Sequence, residues 1–180
     1  MEGICLWWIG ENEPEPGMID HVHMHVQRAF DVPVRVHLDP ARPEGTLDAR
    51  RRQHASGRVL KWLLEKGPPR TKVLGITDVD LFIPILTFVF GEAQLGGAAA
   101  VVSTARLKEP LPVRDARLVI ERLAKEAIHE LGHAMGLVHC GTPDCAMGRS
   151  ASVRDVDSKR GSLCGGCRAQ LRARAAGGSS

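Results

Sequence analysis

The sequence predicts an α+β fold with an α/β-like opening, a single domain built on a mixed sheet, and three observations carry that expectation. Apolar runs of strand length alternate with helix-length segments from the first residues to about Thr77. Two later β-rich runs are joined through Gly96 and Gly97, as in a hairpin. One long stretch from about Asp115 to Gly136 repeats apolar residues at helical spacing. With 180 residues, 43% of them hydrophobic, the chain suits one well-buried core and is short for two domains.

The elements follow in order. "ICLWWIG" is a short apolar run, closed by the turn-forming "ENEPEPG", and reads as an interior strand. A helix is expected over Met18 to Phe30. Val32 to Asp39, "VPVRVHLD", alternates apolar and polar residues as a second strand. The segment "DARRRQHASGRVLKWLLEKG" predicts a helix with Leu60, Leu63 and Leu64 on one side, stopped by Gly67 and Pro68. "TKVLGITDVDLFIP" gives a third strand and its outgoing loop, and "LTFVFGEAQ" and "AAAVVST" form the hairpin. Strands joined through crossover helices pair in parallel, and the hairpin adds one antiparallel member. The long helix carries Ile120, Leu123, Ala127, Leu131 and Ala134 on its apolar stripe and Arg122, Glu126, His129 and His133 on its polar one. The end of the chain, "ARAAGGSS", reads as a small, flexible tail.

Composition excludes more than it assigns. Twenty-four basic against 21 acidic residues leave a net charge of +3, which demands neither a nucleic-acid nor a membrane partner. The N-terminal apolar run is too short, and lacks the flanks, to be a secretory signal. No segment approaches the roughly 20 apolar residues of a membrane span. A soluble, cytoplasmic, monomeric protein is therefore expected. Five cysteines in a reducing compartment favour metal binding or catalysis over disulfides. Cys5, alone in a buried strand, reads as an inert thiol.

The chemistry concentrates in "HELGHAMGLVHC", residues 129 to 140. On a helix, His129 and His133 are separated by about 6 Å along the axis and about 40° around it, so both imidazoles reach one metal ion. Glu130 projects about 100° further round, which removes it from the ligand set but lets it flank the metal and hold a water as general base. Gly136 can take the positive φ that ends a helix and bends the chain back, bringing His139 to the same ion. Three histidines leave one tetrahedral position open, the mark of a catalytic zinc.

Cys140 and Cys145 enclose four residues, Cys164 and Cys167 enclose two, and 18 residues separate the pairs. That spacing matches a closed, four-thiolate structural zinc; a disulfide pairing or a redox Cys-x-x-Cys is the alternative. Lesser features have blander readings. His21, His23 and His25 form a cluster in which His21 and His25 could share a helix face, suited to adventitious metal binding because no carboxylate or cysteine completes a set nearby. Asp78 and Asp80 read as loop-end residues that cap the next element rather than as a carboxylate pair for acid-base work. The basic "CRAQLRARA" reads as the solvated face of a last helix.

The extended motif H-E-x-x-H-x-x-G-x-x-H resembles the metzincin clan of zinc peptidases, whose consensus continues to a methionine in a tight turn beneath the metal; Met147 is the candidate. More narrowly, "HELGHAMGLVHCGTPDCAM" followed by "CGGC" resembles the archaemetzincin family, in which a cysteine follows the third histidine and four cysteines bind a second zinc. The likeness extends upstream to "TDVDLFIP" and "FVFGEA". It implies a single metzincin-like domain over 1–180: a twisted mixed sheet with an antiparallel edge strand at residues 86–92 bordering the cleft, a backing helix and an active-site helix. Residues 1–136 would hold the sheet and that helix, and 137–175 a zinc-stabilised C-terminal part with the third histidine, the methionine turn and the cysteine site. With no tyrosine in the chain, the tyrosine ligand of some other metzincins is excluded.

The expected function is zinc-dependent hydrolysis of peptide bonds, with Glu130 activating a zinc-bound water and two zinc ions per chain. Peptides or proteins are the expected partners. A zinc-stabilised binding or regulatory protein with a latent histidine site is the alternative, and a zinc hydrolase of non-peptide amides is the runner-up among enzymes.

Overall fold

The structure, a computed structural model, describes residues 2–109 and 115–177. Strand β1, Ile4–Trp8, is central, and helix α1, Met18–Phe30, matches its expected span. β2, Val34–His37, pairs parallel to β1. After β3 (Leu47–Asp48), β4 (Gln53–Ala55) and helix α2 (Ser56–Lys66), β5 (Lys72–Thr77) pairs parallel to the other side of β1. β6 is Leu81–Phe82, β7 Gly91–Ala93 and β8 Ala99–Ser103. β8 lies parallel to β5, and β7 closes the sheet antiparallel to β8, giving the order β2-β1-β5-β8-β7. The mixed sheet with one antiparallel edge strand is therefore present.

Three expectations need correction. Residues 47–55 do not begin the second helix: β3, β4 and β6 form a separate three-stranded sheet. Gln53 explains the difference. Its buried side chain donates to Asp80 and to the Thr87 carbonyl, a tertiary tie that holds the segment extended against its helical pattern. Leu64 is 42% exposed, and Val59 joins Leu60 and Leu63 on the buried face instead. The edge strand is also shorter than 86–92. Val89 turns away to form a bridge with Leu81, so the regular edge is Gly91–Ala93.

Period-two alternation decides which side chains meet which helices. Ile4 and Leu6 of β1 face α1 and the long helix α3, Ala116–Ala134. Cys5 and Trp7 face α2 with Leu60 and Leu63. Both faces of the parallel sheet are covered, which is why its strands read as continuous apolar runs. Asp115 caps α3 by accepting from the Leu118 N–H. No helix among the described residues is long and apolar enough to cross a membrane.

The chain then wraps under α3 through helix α4, Val153–Ser158, and ends in α5, Gly165–Gly177. Thus part of the expected flexible tail is helical, and residues 178–180 lie outside the described residues. α4 opens with a capping box between Ser152 and Asp155. Asp157 at its end makes a two-pronged pair, 2.7 Å on each prong, with Arg122, which α3 buries to 3% exposure. The remaining guanidinium nitrogen donates to the Leu107 and Glu109 carbonyls.

Replacing Asp157 by Ala leaves that guanidinium without its counter-charge. The expected loss is about 2 kcal/mol, below the roughly 3–5 of fully buried pairs because the Asp157 side chain is 40% exposed. The Arg122 hydrogen bonds hold the Asp157 pKa below its ordinary value. A depressed carboxylate pKa stabilises the fold above the unfolded-state value, and that contribution disappears as pH falls through the folded-state value. Urea unfolding at neutral pH and at pH below the ordinary aspartate range should therefore show a gap between wild type and D157A that closes in acid.

Candidate metal centre and cleft

Helix α3 places His129 and His133 on consecutive turns, and the structure brings His139 to them. The three offer ring nitrogens within 4.8 Å of one another, and the His139 ring lies 5.3 Å from that of His129 and 4.8 Å from that of His133. The turn between them has the expected cause. Gly136 has φ 90°, its N–H bonds the His133 carbonyl, and the Leu137 N–H reaches back 2.9 Å to Gly132. This is a Schellman ending, which returns the chain under its own helix.

Backbone carbonyls orient two of the imidazoles. His129 Nδ1 donates 2.8 Å to the Ala146 carbonyl and His133 Nδ1 donates 2.8 Å to the Leu137 carbonyl. A carbonyl can only accept, so both protons reside on Nδ1 and both Nε2 atoms carry lone pairs. Those two Nε2 atoms face each other at 3.1 Å. Two lone pairs at that separation repel unless a cation lies between them. Tetrahedral zinc with nitrogen ligands at about 2.0–2.1 Å would separate them by about 3.3 Å. Burial first, then the nearby Lys159 ammonium, pushes the His129 pKa down to about 3, keeping the ring neutral as a metal ligand requires. The donor set therefore fits zinc.

Glu130 is buried at 6% exposure and has strand β7 against its side chain. A Cβ on Gly91 would come within 2.6 Å of Glu130 Cγ and of the Val101 carbonyl oxygen, so only glycine leaves room for both the strand and the carboxylate. Burial first, with Glu126 and Glu92 adding and Lys159 opposing, raises the Glu130 pKa well above the ordinary value. The surrounding cleft, about 520 Å³, runs from Leu86 to Ala93 along one wall to His139 and Arg149 on the other.

The four predicted cysteines also converge. Cys140 and Cys164 sulfurs lie 3.8 Å apart, as do those of Cys145 and Cys167, and none is disulfide-bonded. Thiolates at about 2.3 Å from a tetrahedral zinc are separated by about 3.8 Å, so this quartet fits a zinc as well. The Cys167 backbone N–H is the leading cause that brings the Cys164 pKa to about 6, while burial raises Cys145 and Cys167. Met147 is fully buried with its sulfur against Gly132 of α3, and its carbonyl accepts from the Cys140 N–H at 3.0 Å.

Asp78 holds the Glu11 and Asn12 backbone, and Asp80 pairs with Arg106, so neither serves as an acid-base pair in the cleft. Cys5 is the buried thiol expected. Sequence reasoning missed a pair beneath the site: Lys159 Nζ lies 2.8 Å from Glu126 Oε1, both at 3% exposure or less, and 3.4 Å from His129 Nδ1. Ser150 also donates to that carboxylate. The only signal was a glutamate on the helical stripe one turn before His129; its partner lies 33 residues away.

The pattern of Peptidase family M54 matches residues 70–173. An archaemetzincin of Archaeoglobus fulgidus is 45% identical over 125 residues, covering 69% of this chain and 72% of that protein. The crystal structure of the archaemetzincin of Methanopyrus kandleri superposes with a TM-score of 0.86 at 35% identity, over 97% of this chain and 95% of that one. A zinc-dependent peptidase from Methanocorpusculum labreanum gives 0.81 at 30% identity, over 94% and 100%.

One close approach under α3 yields a test. A Cβ at Gly132 would lie 2.3 Å from the Met147 sulfur, which has no exposed route of escape. Gly132→Ala should lower stability by about 1 kcal/mol, overpacking outweighing the roughly 1 kcal/mol gained in helix propensity. In a Met147→Ala background the same change should become neutral or stabilising; a double-mutant cycle by denaturant unfolding reads the coupling.

Proposed function

We propose that this chain, which belongs to Peptidase family M54 and is a zinc metallopeptidase of the archaemetzincin kind, cuts peptide bonds with His129, His133 and His139 holding the catalytic zinc and Glu130 moving the proton. The observation that carries this assignment is the 3.1 Å approach of two unprotonated Nε2 atoms beside a buried glutamate. When bound, zinc acidifies water from a pKa of about 15.7 toward about 7, polarises the scissile carbonyl and, as a positive charge, favours ionised Glu130.

The chain supplies the rest. Glu130 accepts the water proton on a carboxylate oxygen and delivers it to the leaving amide nitrogen. The Ala146 and Leu137 carbonyls fix the tautomers of His129 and His133, so each Nε2 stays available without reorganisation. The Lys159–Glu126 pair lets the site keep a second carboxylate near Glu130 without an uncompensated charge. An extended peptide adds to the outer edge of β7, with main-chain hydrogen bonds as the chief recognition. Because the regular edge is only Gly91–Ala93, the pairing spans about 10 Å, and Leu86 and Phe88 on the same wall offer apolar contacts beyond it.

The Cys140, Cys145, Cys164 and Cys167 quartet takes a second, structural zinc, making two ions per chain. Free thiols at this density suit a reducing compartment, and with a net charge of +3 we place the protein in the cytoplasm as a monomer that acts on peptides or proteins, without nucleic-acid or membrane partners. The latent, non-catalytic reading is not favoured: metal retention alone does not need the Glu130 carboxylate.

Two experiments follow. Mass spectrometry of a mixed peptide pool incubated with zinc-loaded protein should reveal cleavage that Glu130→Ala abolishes while its histidine site still takes zinc; equal cleavage by both would remove Glu130 from the mechanism. Cys164→Ser should weaken zinc binding at the histidines by about tenfold, the low end for losing a supporting contact, because Cys140 adjoins His139. Competitive chelator titration measures this, and unchanged affinity in a folded variant would make the two sites independent.

A further inference from the structure

Helix α1 stacks His21 and His25, one turn apart, with ring centroids 4.4 Å from each other. Sequence distance hid what completes the pair. Glu121 of α3 reaches across the helix contact, placing its carboxylate 3.1 Å from His21 Nε2. All three side chains offer ligand atoms within 4.8 Å of one another. His23, between them in sequence, points elsewhere and contacts the Val34 carbonyl.

We propose that His21, His25 and Glu121 form a further metal site, for a divalent transition ion such as zinc, that bridges α1 to α3. Three features distinguish it from an ordinary surface ion pair. His21 Nε2 is buried yet makes no hydrogen bond, although the Glu121 oxygen lies within reach. Their 3.1 Å separation is close to the roughly 3.3 Å between donors that share a tetrahedral zinc. Gly161 leaves the His25 ring its space, since a Cβ there would come within 3.2 Å of His25 Nδ1.

Two imidazoles and one carboxylate, with no thiolate, suit zinc and its neighbours in the first transition row rather than calcium or magnesium. The three protein ligands leave room for water, so binding is weaker than at the closed cysteine quartet. Glu121 precedes His129 by eight residues on α3, roughly 12 Å along the axis, so an ion here is separate from the one in the cleft. Its physical effect is to pin α1 to the helix that carries the cleft histidines.

Native mass spectrometry across a zinc titration tests the site in the full chain. Wild type should take up one more zinc than His25→Ala or Glu121→Ala, whatever the total held elsewhere, while His23→Ala should match wild type. Identical zinc counts in wild type and in both site variants would overturn the proposal. If a variant does not fold, imidazole nitrogen NMR of the wild type decides the matter. Zinc should move the His21 and His25 resonances together in the last step of the titration, and unmoved resonances would refute the site. A loss of zinc from the cleft would instead leave this step intact, so failure of the two assignments can be told apart.

Discussion

The rest of the structure depends on one constraint: helix α3 is buried nearly all round, yet it carries Arg122, Glu126, His129 and Glu130. An unpaired polar group in such a position costs several kcal/mol, so each needs a partner supplied from outside the helix. Residues 146–159 supply most of them: Asp157 for Arg122, Lys159 and Ser150 for Glu126, and the Ala146 carbonyl for His129. Glu130 has strand β7 beside it instead, at the wall of the cleft. The segment after the helix is thus both the underside of the core and the scaffold of the site.

Missing side chains matter as much as those present. Gly91 lets the edge strand run against Glu130, Gly132 lets Met147 pack against α3 beside His133, and Gly136 takes the left-handed turn that returns the chain. In each case the glycine is fixed by something else the site must contain, so the three act on different partners: the carboxylate, the methionine and the third histidine. A close-packed interior transmits small displacements rather than absorbing them. Space around the reacting groups is therefore part of their positioning.

How much of this was legible depends on whether the signal was local. Met18–Phe30 could be read to the residue because its apolar stripe, preceding glycine and following turn all lie within a few positions. The histidine motif and the cysteine spacing were equally local, since helix geometry fixes what four residues apart can touch. The β3–β4 segment was not, because Gln53 is held by Asp80 and Thr87, far along the chain. Arg122 and Glu126 were placed on a polar stripe that should face solvent or a cleft, yet both are buried by partners more than 30 residues away. The histidines of α1 show the same limit: no carboxylate was expected to complete their set, yet Glu121 reaches them from another helix, about a hundred residues along the chain.

The third histidine shows why the C-terminal part has to be rigid. His129 and His133 each have a carbonyl fixing Nδ1, but neither ring nitrogen of His139 has such a bond among the described residues, and the side chain is exposed. Its position therefore comes from the backbone on either side. Upstream, Leu137 is fully buried and its N–H is tied to Gly132. Downstream, the Cys140 N–H is tied to the Met147 carbonyl and its sulfur belongs to the quartet. Fixing an exposed side chain through its neighbours costs chain entropy, about 1–2 kcal/mol for each ordered residue. Only strong local attachments offset that for a short exposed turn. The second zinc proposed for the cysteine quartet would be such an attachment, placed at the very next residue, and it would give the direct adjacency of His139 and Cys140 its physical reason.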